Sequence, residues 1–123
     1  MNKYNNRKVG GFDSVKERRR YNELLLLQRA GKISDLQTQV KFELIPAQYE
    51  TEERYGKSGK KLKDGKCLIE RSLTYIADFV YKDNNGNTVV EDVKGYTNGT
   101  AYGLFACKRK LMLYLKGIKV KEI

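Results

Sequence analysis

Residues 75–95 read Tyr75-Ile76-Ala77-Asp78-Phe79-Val80-Tyr81-Lys82-Asp83-Asn84-Asn85-Gly86-Asn87-Thr88-Val89-Val90-Glu91-Asp92-Val93-Lys94-Gly95. Two runs rich in β-branched and aromatic residues flank a polar turn with an Asn-Gly step, a strong hairpin signal. Strand side chains repeat with a period of two, so Asp92 and Lys94 share a face. The turn decides whether Asp78 joins them. A two-residue turn, Asn85-Gly86, pairs Asp78 with Val93 and puts it on the wrong face. A three-residue loop, Asn84-Asn85-Gly86, pairs Asp83 with Asn87, Tyr81 with Val89, Phe79 with Glu91 and Asp78 with Asp92. That loop needs a left-handed third residue, which Gly86 supplies without steric penalty. The expectation is the three-residue loop, with Ile76, Asp78 and Val80 facing the same side as Val90, Asp92 and Lys94. Glu91 then points to the opposite face.

Upstream, a first helix is predicted from Ser14 to Ala30: Ser14 followed by Glu17 has the spacing of a capping box, and Gly31 supplies the stop. At 100° per residue, Glu17, Tyr21, Leu24 and Gln28 fall on one face. Alternation at Val40, Phe42 and Leu44 marks a half-buried strand ended by Pro46. Residues 50–66 are charged and interrupted by glycine, which reads as a mobile loop or a loose hairpin tip. A second strand is predicted from about Leu68 through Tyr81, and a third from Thr88 to Lys94. Downstream, a helix from about Thr100 to Leu115, closed by Gly117, crosses over to a last, parallel strand, Ile118 to Ile123. With no repeat and no linker, residues 1–123 form a single α/β domain: an α-β-β-β-α-β mixed sheet flanked by helices.

Composition narrows the chemistry. The chain has 25 Lys and Arg against 15 Asp and Glu, a net charge of +10. Cations recur at Arg7-Lys8, Arg18-Arg19-Arg20, Lys57 to Lys66 and Lys108-Arg109-Lys110, which suits an extended polyanion such as nucleic acid. The expected phosphate contacts are Arg7 and Lys8 in a basic N-terminal arm (1–12), Arg18, then Lys57, Lys60, Lys61 and Lys63, then Lys108 and Arg109. There is no histidine. Chemistry that needs an imidazole as base or ligand is excluded, which leaves carboxylates, lysine and a hard, oxygen-binding metal. Cys67 and Cys107 lie forty residues apart, neither a disulfide framework nor a zinc site. No apolar run approaches the roughly 20 residues needed to span a bilayer, and residues 1–8 carry no secretion signal. A reducing, intracellular setting without membrane attachment is expected.

Two carboxylates on adjacent strands repel unless a cation lies between them. A divalent metal neutralises them, polarises a phosphoryl oxygen and acidifies water, while Lys94 offsets charge developing on phosphate. The ordinary alternative is a polar-faced hairpin with surface charges. Glu17 has two readings as well. Three residues after Ser14 it fits a helix cap, yet it shares the helix face of Tyr21 and Leu24, which turns inward.

This arrangement looks like the PD-(D/E)XK (restriction-endonuclease-like) nuclease superfamily, whose core has the same α-β-β-β-α-β order. More closely, Phe12-Asp13-Ser14-x-x-Glu17, the Tyr75-to-Tyr81 strand and Val90-Glu91-Asp92-Val93-Lys94-Gly95 resemble a family of small phage proteins. That family was long catalogued as a domain of unknown function and is similar to phage Holliday junction resolvases. The resemblance implies a metal-dependent DNA endonuclease with Asp78, Asp92, Lys94 and Glu17 as its catalytic residues. It implies Mg²⁺, with Mn²⁺ substituting, held by Asp78, Asp92, Glu17 and the Val93 carbonyl. It further implies branched DNA as the target and, for a phage protein, the cytoplasm of a bacterial host. A resolvase cuts two symmetric strands, so a homodimer is expected. Ala77 stands where the motif has proline, and the second acid is Asp. The rival readings are a nuclease of this type with another DNA target, and a non-catalytic basic DNA-binding or host-takeover protein on the same fold.

Overall fold

Helix α1 (Val15–Arg29) begins at Ser14, whose hydroxyl accepts the Glu17 N–H at 3.1 Å in this computed structural model, which describes residues 14–95 and 99–123. That bond satisfies one of the orphan donors of the first turn. There follow β1 (Ser34–Ile45), β2 (Gln48–Glu52), β3 (Gly65–Glu70), β4 (Leu73–Lys82), β5 (Thr88–Asp92), α2 (Thr100–Lys116) and β6 (Lys121–Glu122). One sheet has the order β1-β4-β5-β6, with β5 and β6 parallel and the other pairs antiparallel; β2 and β3 form a second, two-stranded sheet. The protein is therefore mixed α/β. With the β2–β3 hairpin set aside, its order is the expected α-β-β-β-α-β.

Four elements differ in extent from the sequence reading or settle what it left open. Strand β1 starts at Ser34, because pairing with β4 recruits a polar stretch that has no alternation of its own. The predicted strand 68–81 is two strands in two different sheets, broken at Arg71-Ser72, where the apolar run stops. Of the two readings of residues 50–66, the structure takes the hairpin: β2 and β3 pair from Gln48↔Glu70 to Glu52↔Gly65, and a further bridge joins Tyr55 to Lys61. The last strand is shorter than expected and parallel to β5, with Glu91↔Lys121 and Asp92↔Glu122. The N-terminal arm, with Arg7 and Lys8, lies outside the described residues.

The β4–β5 turn is the three-residue loop. The Asp83 N–H donates to Asn87 O at 3.0 Å, the Gly86 N–H donates to Asp83 O at 3.1 Å, and Gly86 has φ 80°. The Asp83 carboxylate accepts the N–H groups of Asn85 and Asn87 at 2.9 Å each. The register runs Lys82↔Thr88, Tyr81↔Val89, Val80↔Val90 and Phe79↔Glu91.

The sheet separates two apolar clusters. Leu44, Tyr75, Ala77, Val90 and Val120 pack with Phe105 and Met112 of α2 on one side. Phe79 and Tyr81 pack with Leu24 and Tyr21 of α1 on the other. Tyr75, Ala77, Phe79 and Tyr81 have the same parity, so a regular strand would send all four to one side. The alternation of β4 instead breaks at Asp78. Opposite it in β1 lies Gln39, whose φ of 53° is in the left-handed region. Asp78 thus sits where the chain passes from one cluster to the other. Among the described residues, no helix is long and apolar enough to cross a membrane.

Candidate active site

Asp78, Asp92, Lys94 and Glu17 line one cavity of about 470 Å³, bounded by the start of α1, the middle of β4, the end of β5 and the start of α2. Ser14, Lys16, Ile76, Val93, Gly95, Ala101 and Tyr102 complete its walls. The fold brings the four sequence-predicted catalytic residues together through three local features. The three-residue loop sets Asp78 beside Asp92. Beyond Phe79↔Glu91 the ladder opens, and the Val93 N–H turns to the Asp78 carboxylate, Oδ2 accepting at 2.8 Å. The parallel return of β6 holds the far side: the Ile123 N–H donates to Asp92 O at 2.9 Å, and the Lys94 N–H to Ile123 O at 3.4 Å.

Each functional group has defined partners. Asp92 is 3% exposed; its Oδ1 accepts from Lys94 Nζ at 2.8 Å and its Oδ2 from the Tyr75 hydroxyl at 2.6 Å. Lys94 Nζ also lies over the Phe105 ring, 4.1 Å from the centroid, a cation–π contact that fixes where the ammonium points. Glu17 is 4% exposed, and its Oε1 accepts from Gln39 Nε2 at 3.0 Å. The same amide nitrogen reaches Asp78 Oδ1 at 3.4 Å. Gln39 thus bridges an acid of α1 to an acid of β4. Lys16 Nζ donates to the Lys94 carbonyl at 2.7 Å, so α1 also holds the end of β5.

The electrostatics are those of charge kept from water. Burial pushes the Asp78 carboxyl up to about 6; the Val93 N–H works against the rise, and the neighbouring Glu17 adds to it. Burial raises Asp92 as well, against the pull of Lys94 and Tyr75, and Asp78 adds repulsion. Burial, followed by the hydrogen bond to Asp92, drives Tyr75 well above the ordinary phenol range, so it stays a donor. Buried carboxylates that repel one another in a cleft are what a cation relieves.

All the side-chain donors for such a cation are carboxylate oxygens, which suits a hard ion. Among the described residues, no group of three acidic or cysteine side chains is drawn together tightly enough to hold a metal by itself. The expected ligands Asp78, Asp92 and Glu17 line the cleft without forming such a group. Two carboxylates still fit Mg²⁺, which is commonly bound through one or two and completes its octahedron with water and substrate phosphate. At Val93 the group engaged is the N–H.

Several contributors were not legible in the sequence. Gln39 reads as an outward residue of a regular strand, and only its positive φ re-aims it. Glu91 points away from the acids, as alternation predicts, and faces α1. There it is fully buried, gripped by Arg20 through Nε–Oε1 at 2.8 Å and Nη2–Oε2 at 2.6 Å, with the Tyr81 hydroxyl donating to it as well. The Glu91 hydrogen bond raises the Arg20 pKa further still, and burial together with Glu91 holds Tyr81 up at about 12. The clamp pins α1 one turn beyond Glu17 to the residue before Asp92. Nothing in the spacing of Arg20 and Glu91 signals it.

The expected nucleic-acid contacts divide. Lys108 lines a second cavity, of about 260 Å³, that shares Ile76, Asp92, Lys94 and Ala101 with the first, so the basic run of α2 opens onto the site. Arg18, Lys57, Lys60, Lys61 and Lys63 are exposed. Arg109 is instead paired with Glu122 at 2.8 Å and donates to the Tyr102 hydroxyl at 3.3 Å, tying α2 to β6.

Fold and site together define a mixed α/β protein with a cleft of acids and two lysines at the starts of its two helices. The chain belongs to the family described as "Protein of unknown function (DUF1064)", whose model matches residues 1–121. No curated protein and no solved structure matches it.

Proposed function

We propose that the protein is a Mg²⁺-dependent endonuclease of the PD-(D/E)XK type that hydrolyses DNA phosphodiesters, with branched DNA such as a four-way junction as its target. The observation that carries the reading is the convergence of Glu17, Asp78, Asp92 and Lys94 on one cleft, from α1 and from the β4–β5 hairpin more than sixty residues downstream. Asp78 and Asp92 are the residues to hold the ion, with Glu17 beside them. When bound, Mg²⁺ supplies positive charge to a phosphoryl oxygen and acidifies water for attack. The chain's own groups do the rest. Lys94, oriented by Asp92 and the Phe105 ring, presents an ammonium to the charge that develops on phosphate. Tyr75 keeps Asp92 in place, and Gln39 fixes Glu17 against Asp78. Lys108, on the neighbouring cavity, and the exposed lysines between Lys57 and Lys63 supply charge for the DNA backbone. Two symmetric cuts require two sites, which makes the acting form a homodimer.

The test is cleavage of a labelled four-way junction, a flap and linear duplex, each with Mg²⁺ and with EDTA. Metal-dependent nicking of the junction at symmetric positions, absent in Asp78→Asn, is the expected result. Intact DNA under every condition, alongside salt-sensitive binding, would replace the nuclease with a DNA-binding protein.

A further inference from the structure

The β2–β3 hairpin stands apart from the catalytic sheet. Its strands pair with each other in a separate sheet, and no described residue between Gln48 and Glu70 is buried. An isolated two-stranded ribbon is marginal in water unless something covers it. Its tip is nevertheless well formed: Leu62 N–H to Arg54 O at 2.8 Å, Gly56 N–H to Lys60 O at 2.8 Å, and Gly59 at φ 80° closing the loop Lys57-Ser58-Gly59. Charge is graded along it. The proximal strand carries Glu50 and Glu52, whereas Lys57, Lys60, Lys61 and Lys63 crowd the distal end. At the Tyr55↔Lys61 bridge, alternation puts Lys61 and its neighbour Lys60 on opposite faces.

We propose that this hairpin is an arm whose tip enters the major groove of the DNA being processed; the proposal rests on DNA being the ligand, as in the reading above. Roughly ten residues from Gln48 to the turn span about 30 Å at the rise of a strand, enough to reach from the body into a groove. Two strands about 5 Å apart, with their side chains, match a groove about 12 Å wide that admits a β-ribbon. Cations on both faces and at the turn suit a tip flanked by two phosphate walls. A ribbon lying along a single backbone gains from one charged face only. Exposed Tyr55 and Leu62 at the same end offer apolar surface for the groove floor, such as thymine methyl groups.

The experiment works in EDTA, so it does not depend on cleavage. Ser58→Cys, in a background with the exposed Cys67 and Cys107 replaced by Ser, is mixed with a four-way junction or duplex. The DNA carries a tethered thiol, supplied as a mixed disulfide with a small leaving thiol, either in the major groove or in the minor groove, so that attack by the introduced thiolate expels the leaving thiol. Disulfide formation with the major-groove thiol alone is the expected result; equal capture of both, or of neither, overturns the proposal. In parallel, Lys57→Gln, Lys60→Gln, Lys61→Gln and Lys63→Gln combined remove about four phosphate contacts. The wild type should then lose about 10²-fold more affinity than this variant between 50 and 200 mM salt; an unchanged salt slope also overturns the arm. Cross-linking without any Mg²⁺-dependent cleavage would leave the arm standing and remove the nuclease. Cleavage by a wild type whose arm neither cross-links nor contributes to the slope would do the reverse.

Discussion

Replacing Asp78 with Asn is expected to make the metal-free protein more stable while ending its activity. Burial and the neighbouring Glu17 push the Asp78 carboxyl from 3.8 to about 6. A carboxyl raised in the folded state binds its proton more tightly there than in the unfolded chain, so stability falls as pH rises from about 4 to about 6 and stays reduced at 7. At about 1.36 kcal/mol per unit, the gap corresponds to about 3 kcal/mol. Screening at a half-buried group and the weaker bond that a neutral amide offers the Val93 N–H reduce this to about 1–2 kcal/mol. For 123 residues, that is roughly 4–8 °C in Tm. The assay is thermal unfolding of wild type and Asp78→Asn in EDTA at pH 4, 5, 6 and 7. The Asn variant melts higher at pH 7, and the difference closes toward pH 4, where both side chains are neutral. Adding Mg²⁺ reverses the order: an ion at 100 times its Kd stabilises the wild type by about 2.7 kcal/mol and leaves the variant nearly unmoved. A variant that melts at or below wild type at pH 7 in EDTA, or a difference independent of pH, would refute the account of the acid cluster.

Three further outcomes follow from the same geometry. Lys94→Ala lowers the single-turnover cleavage rate by roughly 10²–10³-fold with DNA affinity little changed, the scale of losing one preorganised donor; near-wild-type turnover would remove Lys94 from the chemistry. Glu91→Ala strands the Arg20 guanidinium and the Tyr81 hydroxyl, and lowers stability in urea by about 2–4 kcal/mol, discounted from the fully buried case because Arg20 is partly exposed. Glu91→Gln, which keeps hydrogen bonds to both, should lose clearly less. Lys61→Ala, which breaks only an exposed contact with Glu53 at 3.9 Å, shifts stability by less than about 0.5 kcal/mol, so any large effect on DNA binding is not a folding effect.

Much of the frame was readable because it rests on local rules. Gly86 at the third loop position dictated the β4–β5 register, and the Ser14 cap and the Gly117 stop placed the helices within a residue or so. The loop register brings Asp78 to the level of Asp92 for the same reason, although the ladder opens there and the Val93 N–H takes up the Asp78 carboxylate. Tertiary overrides were out of reach. Gln39 adopts a conformation that its residue type disfavours, and β4 breaks its alternation at Asp78, so strict period-two counting misassigns Tyr75 and Ala77. The bond from Arg20 to Glu91 spans 71 positions, and no periodicity reports a contact of that range. The 50–66 segment leaves loop and hairpin undecided for another reason: its strands bury nothing, so they carry no apolar alternation to read.

The break in β4 places the acid cluster at the seam between two separately packed halves, one built on α1 and the other on α2. Like charge gathered at a seam acts as a wedge, and the part that can yield is α1, whose departure would return Glu17 and Asp78 to solvent. The polar clamp from Arg20 to Glu91 and the bond from Lys16 to the Lys94 carbonyl oppose that departure. Local unfolding of α1 is then a lower-energy event than global unfolding, and amides of α1 should exchange with deuterium ahead of those in β4 and α2. A cation in the cleft turns the wedge into a fastener, so that slowing of α1 exchange by Mg²⁺ reports occupancy of the site without any substrate present.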